Sequence, residues 1–141
     1  MKTALLTMAF ALLAFIPQTF AMDGAAHKDA MEAPKAKAIM FYSDSCGSCK
    51  ILDPKMQEAM KAINTDMIDV VKFDFSSKDT IEATKALATE KGVDSVLQSY
   101  GAKTGFVILL DSEGNEVGTL KKDHSAAEIA AKVAEAIIGK S

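Results

Sequence analysis

The sequence contains two cysteines, Cys46 and Cys49, with Gly47 and Ser48 between them. A pair at this spacing can form a structural disulfide, supply two metal ligands, tether a haem or act as a redox couple. A bridge across two intervening residues closes a very small loop, and the stabilisation from a cross-link falls with loop length. Chemical reactivity is therefore the better explanation of this pair.

Several rival chemistries can be weighed from the same residues. Haem attachment requires a histidine directly after the second cysteine, and Lys50 occupies that position. A structural zinc site needs four ligands, whereas the sequence adds only His27 and His124 to the cysteines. Copper(I) prefers sulfur ligands, and Met22, His27 and Met31 precede the pair. We expect no cofactor and no metal, with copper(I) handling and a non-catalytic binding module as the alternatives.

The pair is predicted to lie where a strand ends and a helix begins. Residues 38–42 form a short apolar run typical of a buried strand, and residues 45–49 form a turn. Apolar residues then recur at helical spacing to about Ile63, which predicts a buried helix face that includes Ile51.

This position has a chemical consequence for the two thiols. The unpaired amides and the dipole at a helix N-terminus stabilise an anion, and Lys50 adds a positive charge nearby. The thiolate is the reactive form of cysteine in disulfide exchange. Cys46, at the exposed tip, is thus the predicted nucleophile, and Cys49, in the first turn, is the predicted resolving thiol.

The rest of the chain alternates strands with helices. The predicted elements are a strand at 67–75, a helix at 80–91, a short helical or irregular stretch to Tyr100-Gly101, a strand at 106–110, a turn at 111–115, a strand at 116–120, and a helix that opens with a Ser125–Glu128 capping box and runs to Ile138. This order predicts an α/β three-layer sandwich, with a central mixed sheet, a C-terminal β-hairpin and flanking helices.

The first residues have the layout of a secretory signal peptide. A short basic start is followed by an apolar run from Ala4 to Ile16, and small residues precede a cleavage position after Ala21. The run is shorter than the roughly 20 residues of a membrane-spanning helix. We expect residues 1–21 to be removed, with cleavage near Ala25 or Ala26, or an uncleaved anchor, as alternatives.

Domain organisation follows from this assignment. Residues 22–36 are a polar, alanine-rich stretch predicted to be a flexible tail, and residues 37–141 are predicted to form one domain. The net charge is −3 and there is no long basic run, so nucleic acid is an unexpected partner. The expectation is a periplasmic monomer that does not insert in the membrane after cleavage.

Residues 37–138 resemble the thioredoxin-like family. The resemblance rests on Cys46-Gly47-Ser48-Cys49-Lys50, with Pro54 five residues after the second cysteine, where the family carries a helix-kinking proline. Phe41-Tyr42 precede the motif as the family's aromatic pair does, and residues 71–74 resemble its next central strand. The resemblance implies a thioredoxin-like fold and thiol–disulfide exchange with protein substrates.

The departures from the family are as informative as the matches. Ser45 stands where the family usually has tryptophan, and Met40 stands where cytosolic thioredoxins have a buried aspartate. Lys72 matches the lysine that partners this aspartate. Either Asp74, on the same strand face, substitutes for the missing carboxylate, or Lys72 is a surface or structural residue.

A further departure concerns the loop before the strand at 106–110. Family members usually have a cis-proline there, and this sequence has Gly105, preceded by Thr104. We expect Tyr42, Ser45, Thr104 and Gly105 to line the substrate groove, which glycine would make different or more mobile. The helix at 80–91 exceeds the family core, and is either a partner surface or an elaboration.

The residues between the cysteines bear on the direction of electron flow. Gly47-Ser48 match neither the Gly-Pro of common reductases nor the Pro-His of a strong oxidant. Residues between the cysteines tune thiolate stability and reduction potential, and no histidine is present there. We expect a reductase that is recharged by a membrane-embedded electron donor, with the oxidase direction as the alternative.

Overall fold

The computed structural model describes residues 35–139 of the 141-residue chain. The predicted signal peptide, and the predicted tail as far as residue 34, lie outside the described residues and stay predictions. The predicted end of the tail at residue 36 was wrong, because Ala36 is the buried first residue of a strand. The elements are β1 (Ala36–Tyr42), α1 (Gly47–Met60), a 3₁₀ turn (Thr65–Met67), β2 (Ile68–Asp74), α2 (Lys78–Glu90), α3 (Asp94–Tyr100), β3 (Phe106–Leu110), β4 (Glu116–Lys121) and α4 (Ala126–Ile138).

The four strands form one mixed sheet in the order β2-β1-β3-β4. β1 pairs in parallel with β2 and antiparallel with β3, while β3 and β4 form the antiparallel C-terminal hairpin. The predicted α/β fold, with its mixed sheet and hairpin, is confirmed.

The helices cover both faces of the sheet, and β1 supplies side chains to both layers. Ala38 and Met40 face the core shared with α1 and α4. Ile39 and Phe41 face the core on the side of α2 and α3. This alternation follows from the two-residue period of a strand. The central strand that leads to Cys46 is therefore held from both sides.

Three local expectations were wrong. α1 ends at Met60 rather than near Ile63, because the chain turns there towards the 3₁₀ segment. Ile51 is 49% exposed, since it lies beside, not within, the buried stripe of Leu52 and Met56. Met67 is 50% exposed, because it belongs to the 3₁₀ turn and not to the strand.

Side chains define the ends of several elements. The Ser125 hydroxyl accepts the Glu128 N–H and the Glu128 carboxylate accepts the Ser125 N–H, which confirms the predicted capping box at α4. In the hairpin turn, Asp111 accepts the N–H groups of Asn115 and Glu113. The Asn115 N–H is the main cause that lowers the pKa of Asp111. Both contacts are local, which is why the sequence predicts these ends well.

α2 is joined to the edge strand β2 by one buried hydroxyl. Thr84 Oγ1 accepts the Asp74 N–H at 2.9 Å and donates to the Asp74 carbonyl at 3.1 Å. Thr84 is only 2% exposed. The backbone groups at the end of β2 are thus satisfied by a side chain of α2.

Within residues 35–139, no helix combines the length and apolar character needed to cross a bilayer.

Candidate active site

Cys46 lies between the end of β1 and the first residue of α1. Its N–H donates to the Ser43 carbonyl at 3.0 Å, which closes the connecting turn. Its backbone is extended, with φ −83° and ψ 108°, and it forms the N-cap of α1. This is the strand-to-helix junction that the sequence predicts.

The Cys46 sulfur is surrounded by hydrogen-bond donors. Sγ accepts the backbone N–H of Cys49 at 3.2 Å. Partial burial opposes ionisation, but hydrogen bonds from the Cys49 thiol, the Thr104 hydroxyl and the N–H groups of Cys49 and Ser48 outweigh it and lower the pKa of Cys46. The first turn of α1 thus favours the thiolate at Cys46, as amides at a helix N-terminus do for any anion.

Cys49 has the opposite environment. Its side chain is completely buried, and its single S–H has two acceptors within reach, the Phe41 carbonyl oxygen at 3.5 Å and the Cys46 sulfur. Burial, and then the hydrogen bond to Cys46, raise the pKa of Cys49 to about 11. Both cysteines are unbridged thiols here. One sulfur is therefore partly accessible and favours its anion, whereas the other is enclosed and kept protonated.

The loop before β3 lies directly against this pair. Gly105 donates its N–H to the Phe41 carbonyl at 2.9 Å, the same oxygen that accepts the Cys49 thiol. Gly105 has a φ of +100°, and a Cβ placed on it would be 3.4 Å from Cys46 Sγ. Thr104 supplies a hydroxyl to the same sulfur. Two of the four predicted groove residues thus lie at the cysteines.

The other two groove residues, Tyr42 and Ser45, lie on the β1 side of the motif. Tyr42 donates its hydroxyl to Asp44 at 3.0 Å, and this hydrogen bond is the main cause that raises the Tyr42 pKa. Ser45 is exposed, and its N–H donates to the Ser43 hydroxyl at 3.4 Å. They shape the turn that leads into Cys46.

The residues predicted to support the motif have different roles. Gly47 is exposed and its Cβ position faces open space, whereas Ser48 lies against Gly105. Pro54 lies inside α1, as the family resemblance implies. Lys50 is exposed, and the main groups that lower the Cys46 pKa are neutral donors. Neutral hydrogen-bond donors therefore contribute more to lowering the Cys46 pKa than the charge of Lys50 does.

The Lys72 region favours one of its two predicted interpretations. Lys72 Nζ lies 3.7 Å from Asp53 and 3.5 Å from the centre of the Tyr42 ring. Asp74 accepts the Ser76 N–H at 2.8 Å, and Met40 is buried in the core. These contacts favour a surface or structural Lys72 and give Asp74 a local partner.

Two residues contribute to the site through backbone atoms rather than through their side chains. The Phe41 carbonyl holds the Cys49 thiol, and the Ser43 carbonyl holds the Cys46 N–H. Any residue type has such a carbonyl, so no sequence signal marks them. The position of both residues just before the motif is the only available hint.

The surroundings of the cysteines also bear on metal binding. Within residues 35–139, no group of three or more histidine, cysteine or acidic side chains is placed to hold a metal ion. Met22, His27 and Met31 lie outside the described residues, so the copper alternative stays a prediction.

Comparison with known proteins gives a consistent result. The profile of the thioredoxin family matches residues 18–135. The fold is similar to a thiol:disulfide interchange protein of the thioredoxin family from Chlorobium tepidum (18% identity, 75% of this chain and 82% of that one, TM-score 0.52). It is also similar to the thioredoxin domain of a thiol-disulfide oxidoreductase from Bacteroides vulgatus (18% identity, 79% and 84%, TM-score 0.51). No curated protein matches the sequence significantly.

Proposed function

The chain belongs to the thioredoxin family, and on that premise we propose that it is a thiol–disulfide oxidoreductase working through Cys46 and Cys49. The observation that supports this function best is the asymmetry of the pair. Cys46 is partly accessible and its pKa is lowered, whereas the pKa of the buried Cys49 is raised to about 11. An exchange enzyme needs one thiol that attacks and a second that acts only afterwards.

In the reductive direction, the exchange has two steps. The Cys46 thiolate attacks one sulfur of a client disulfide, which forms a Cys46–client disulfide and releases one client thiolate. Cys49 then loses its proton and attacks the Cys46 sulfur, which forms the Cys46–Cys49 disulfide and releases the second client thiolate. Two electrons pass from the dithiol to the client, and the two enzyme protons reach the client thiols through solvent.

Reduction is the direction that we propose. The largest contributions that lower the Cys46 pKa come from uncharged donors, and no histidine lies between the cysteines to pair with the thiolate and make the couple strongly oxidising. A reductase in an oxidising compartment needs recharging, and a membrane-embedded electron donor would supply the electrons. Location in the periplasm is supported by the first 21 residues of the sequence.

Mixed-disulfide trapping tests this function. A Cys49→Ser variant is expected to accumulate clients covalently bound to Cys46, because the second step is blocked. A Cys46→Ser variant is expected to trap none and to lose turnover with a disulfide-bonded protein such as insulin. The double variant is the background control. Full turnover by Cys46→Ser, together with no trapped client in Cys49→Ser, would exclude the mechanism.

The reduction potential tests the direction separately. Thioredoxin-like couples span roughly −270 to −120 mV, and we expect a value towards the reducing end. A value towards the oxidising end would identify the protein as a disulfide donor instead.

A further inference from the structure

We propose that Gly105 is a positioning residue for the cysteine pair, acting through the side chain that it lacks and through its backbone amide. This role presupposes the thiol–disulfide exchange proposed above. In this role, the loop before β3 keeps the Cys46 sulfur next to its hydrogen-bond donors and keeps the carbonyl beside the Cys49 thiol in place.

The missing side chain allows close contact between the loop and α1. A Cβ on Gly105 would be 3.1 Å from the Ser48 Cβ and 3.4 Å from Cys46 Sγ. The contact with Ser48 Cβ is tighter than real side chains normally make, and Ser48 Cβ is fixed to the α1 backbone, whereas the distance to Cys46 Sγ is that of ordinary contact. A side chain at Gly105 would therefore move the loop and the start of α1 slightly apart, and Thr104 would move away from the Cys46 sulfur.

The backbone conformation of Gly105 also disfavours a side chain at this position. Gly105 has a φ of +100°, in a region that residues with a Cβ rarely adopt. Gly114, in the β3–β4 turn, has a φ of +86° but nothing within 4 Å of its Cβ position. Both glycines therefore have a positive φ that disfavours a side chain. They differ because the Cβ position of Gly105 lies against the cysteine motif, whereas that of Gly114 faces open space.

The amide has a second role, at the buried thiol. The Phe41 carbonyl accepts both the Gly105 N–H at 2.9 Å and the Cys49 thiol at 3.5 Å. When Cys49 attacks the mixed disulfide it loses its proton, and the carbonyl loses that donor. The Gly105 N–H then keeps this carbonyl hydrogen-bonded, so the acceptor is not left unsatisfied during catalysis.

The test compares Gly105→Ala with Gly114→Ala in the full mature protein. The readouts are the pH profile of Cys46 alkylation by iodoacetamide and the equilibrium constant with dithiothreitol. Both variants are expected to lose stability from backbone strain. Only Gly105→Ala is expected to move the Cys46 profile to higher pH, with at least a threefold lower rate at neutral pH. A folded Gly105→Ala with an unchanged profile and equilibrium constant would overturn the role.

A double variant tests whether the contact is the cause. Ser48→Gly removes the atom closest to the added Cβ, so Ser48→Gly/Gly105→Ala is expected to recover more than half of the lost rate, relative to Ser48→Gly alone. Absence of any recovery would contradict the steric explanation.

The amide role can be tested in the unmodified protein, which also covers the case in which Gly105→Ala does not fold. We expect the Gly105 amide to exchange slowly with solvent in both redox states, unlike an open loop amide. Hydrogen exchange of the Gly105 amide at the rate of an unprotected loop amide would overturn the proposed role of this amide. Insulin turnover by the unmodified protein tests the proposed thiol–disulfide exchange separately. The proposed role of Gly105 can therefore fail while the proposed function stands.

Discussion

The backbone N–H of Cys49 donates to Cys46 Sγ at 3.2 Å. In the proposed exchange, the resolving residue Cys49 therefore helps to stabilise the thiolate of the nucleophile Cys46. This relationship depends on the start of α1 at Gly47. The first helical turn brings the N–H of the third helical residue, Cys49, back towards the side chain of the N-cap residue, Cys46.

Selective alkylation should reveal the asymmetry of the two thiols. The pKa of Cys46 is lowered. Its rate of alkylation by iodoacetamide should therefore rise with pH and reach a plateau at a lower pH than for an ordinary cysteine. Cys49 is buried and its pKa is about 11, so it should stay unlabelled to at least pH 9. Mass spectrometry of peptides from the reduced protein would measure both. Labelling of Cys49 before Cys46 would contradict the assigned order.

Thr104→Val should reduce the reactivity of Cys46 without disturbing the fold. The change removes the hydroxyl that donates to the Cys46 sulfur and keeps the side-chain volume. A hydrogen bond is worth about 1 kcal/mol, so the Cys46 pKa should rise and the alkylation rate at neutral pH should fall by roughly two- to tenfold. The matched control is Thr119→Val on the edge strand β4, which should leave the rate unchanged. Equal effects of the two variants would exclude a role for Thr104.

Stability of the reduced protein should fall at alkaline pH because of Cys49. Its pKa rises from 9.0 to about 11 in the native state, so the native state binds a proton that the unfolded chain has lost. This stabilisation is complete below pH 9 and disappears as pH approaches 11, a loss of about 2–3 kcal/mol. Urea unfolding at several pH values would measure it, with Cys49→Ser as control. The same decline in both proteins would show that other groups cause it.

Lys55→Met should destabilise the fold through the loop between β4 and α4. Lys55 Nζ donates to the carbonyls of Lys122 at 2.6 Å and His124 at 3.0 Å, which joins α1 to that loop. Loss of these charge-assisted bonds should cost about 1–2 kcal/mol in urea unfolding. Lys61→Met, an exposed lysine just after the end of α1, is the control and should change stability by less than about 0.5 kcal/mol. A comparable cost for both would indicate a general charge effect.

Local patterns in the sequence were sufficient for most of the fold. The apolar run at β3 and the capping box at Ser125 are local signals, and both match the structure. The apolar run at 38–42 and the helical period after the motif likewise predicted the junction, where the structure has Cys46 as the N-cap of α1. The family resemblance, rather than a local pattern, placed Gly105 in the groove beside the cysteines, where its Cβ position is found.

The remaining details depend on tertiary contacts that residue types do not encode. Ile51 fits the helical period yet is half exposed, because the width of a buried stripe is set by the neighbouring helix and sheet. The donor and acceptor pairs around the sulfurs involve backbone groups of Phe41 and Ser43. Lys72 matches a family lysine, but its partners Asp53 and Tyr42 follow from side-chain placement on adjacent elements.

The buried Thr84 hydroxyl has a consequence for aggregation. β2 is an edge strand, and free edge amides and carbonyls can recruit an extended chain as an additional strand. Thr84 occupies both backbone groups of Asp74, and the next N–H, that of Phe75, donates inward to Tyr42. The end of the edge nearest the cysteines is thus closed to such pairing. In the proposed exchange with protein clients, an extended client segment would therefore not add to this end of the sheet as a further strand.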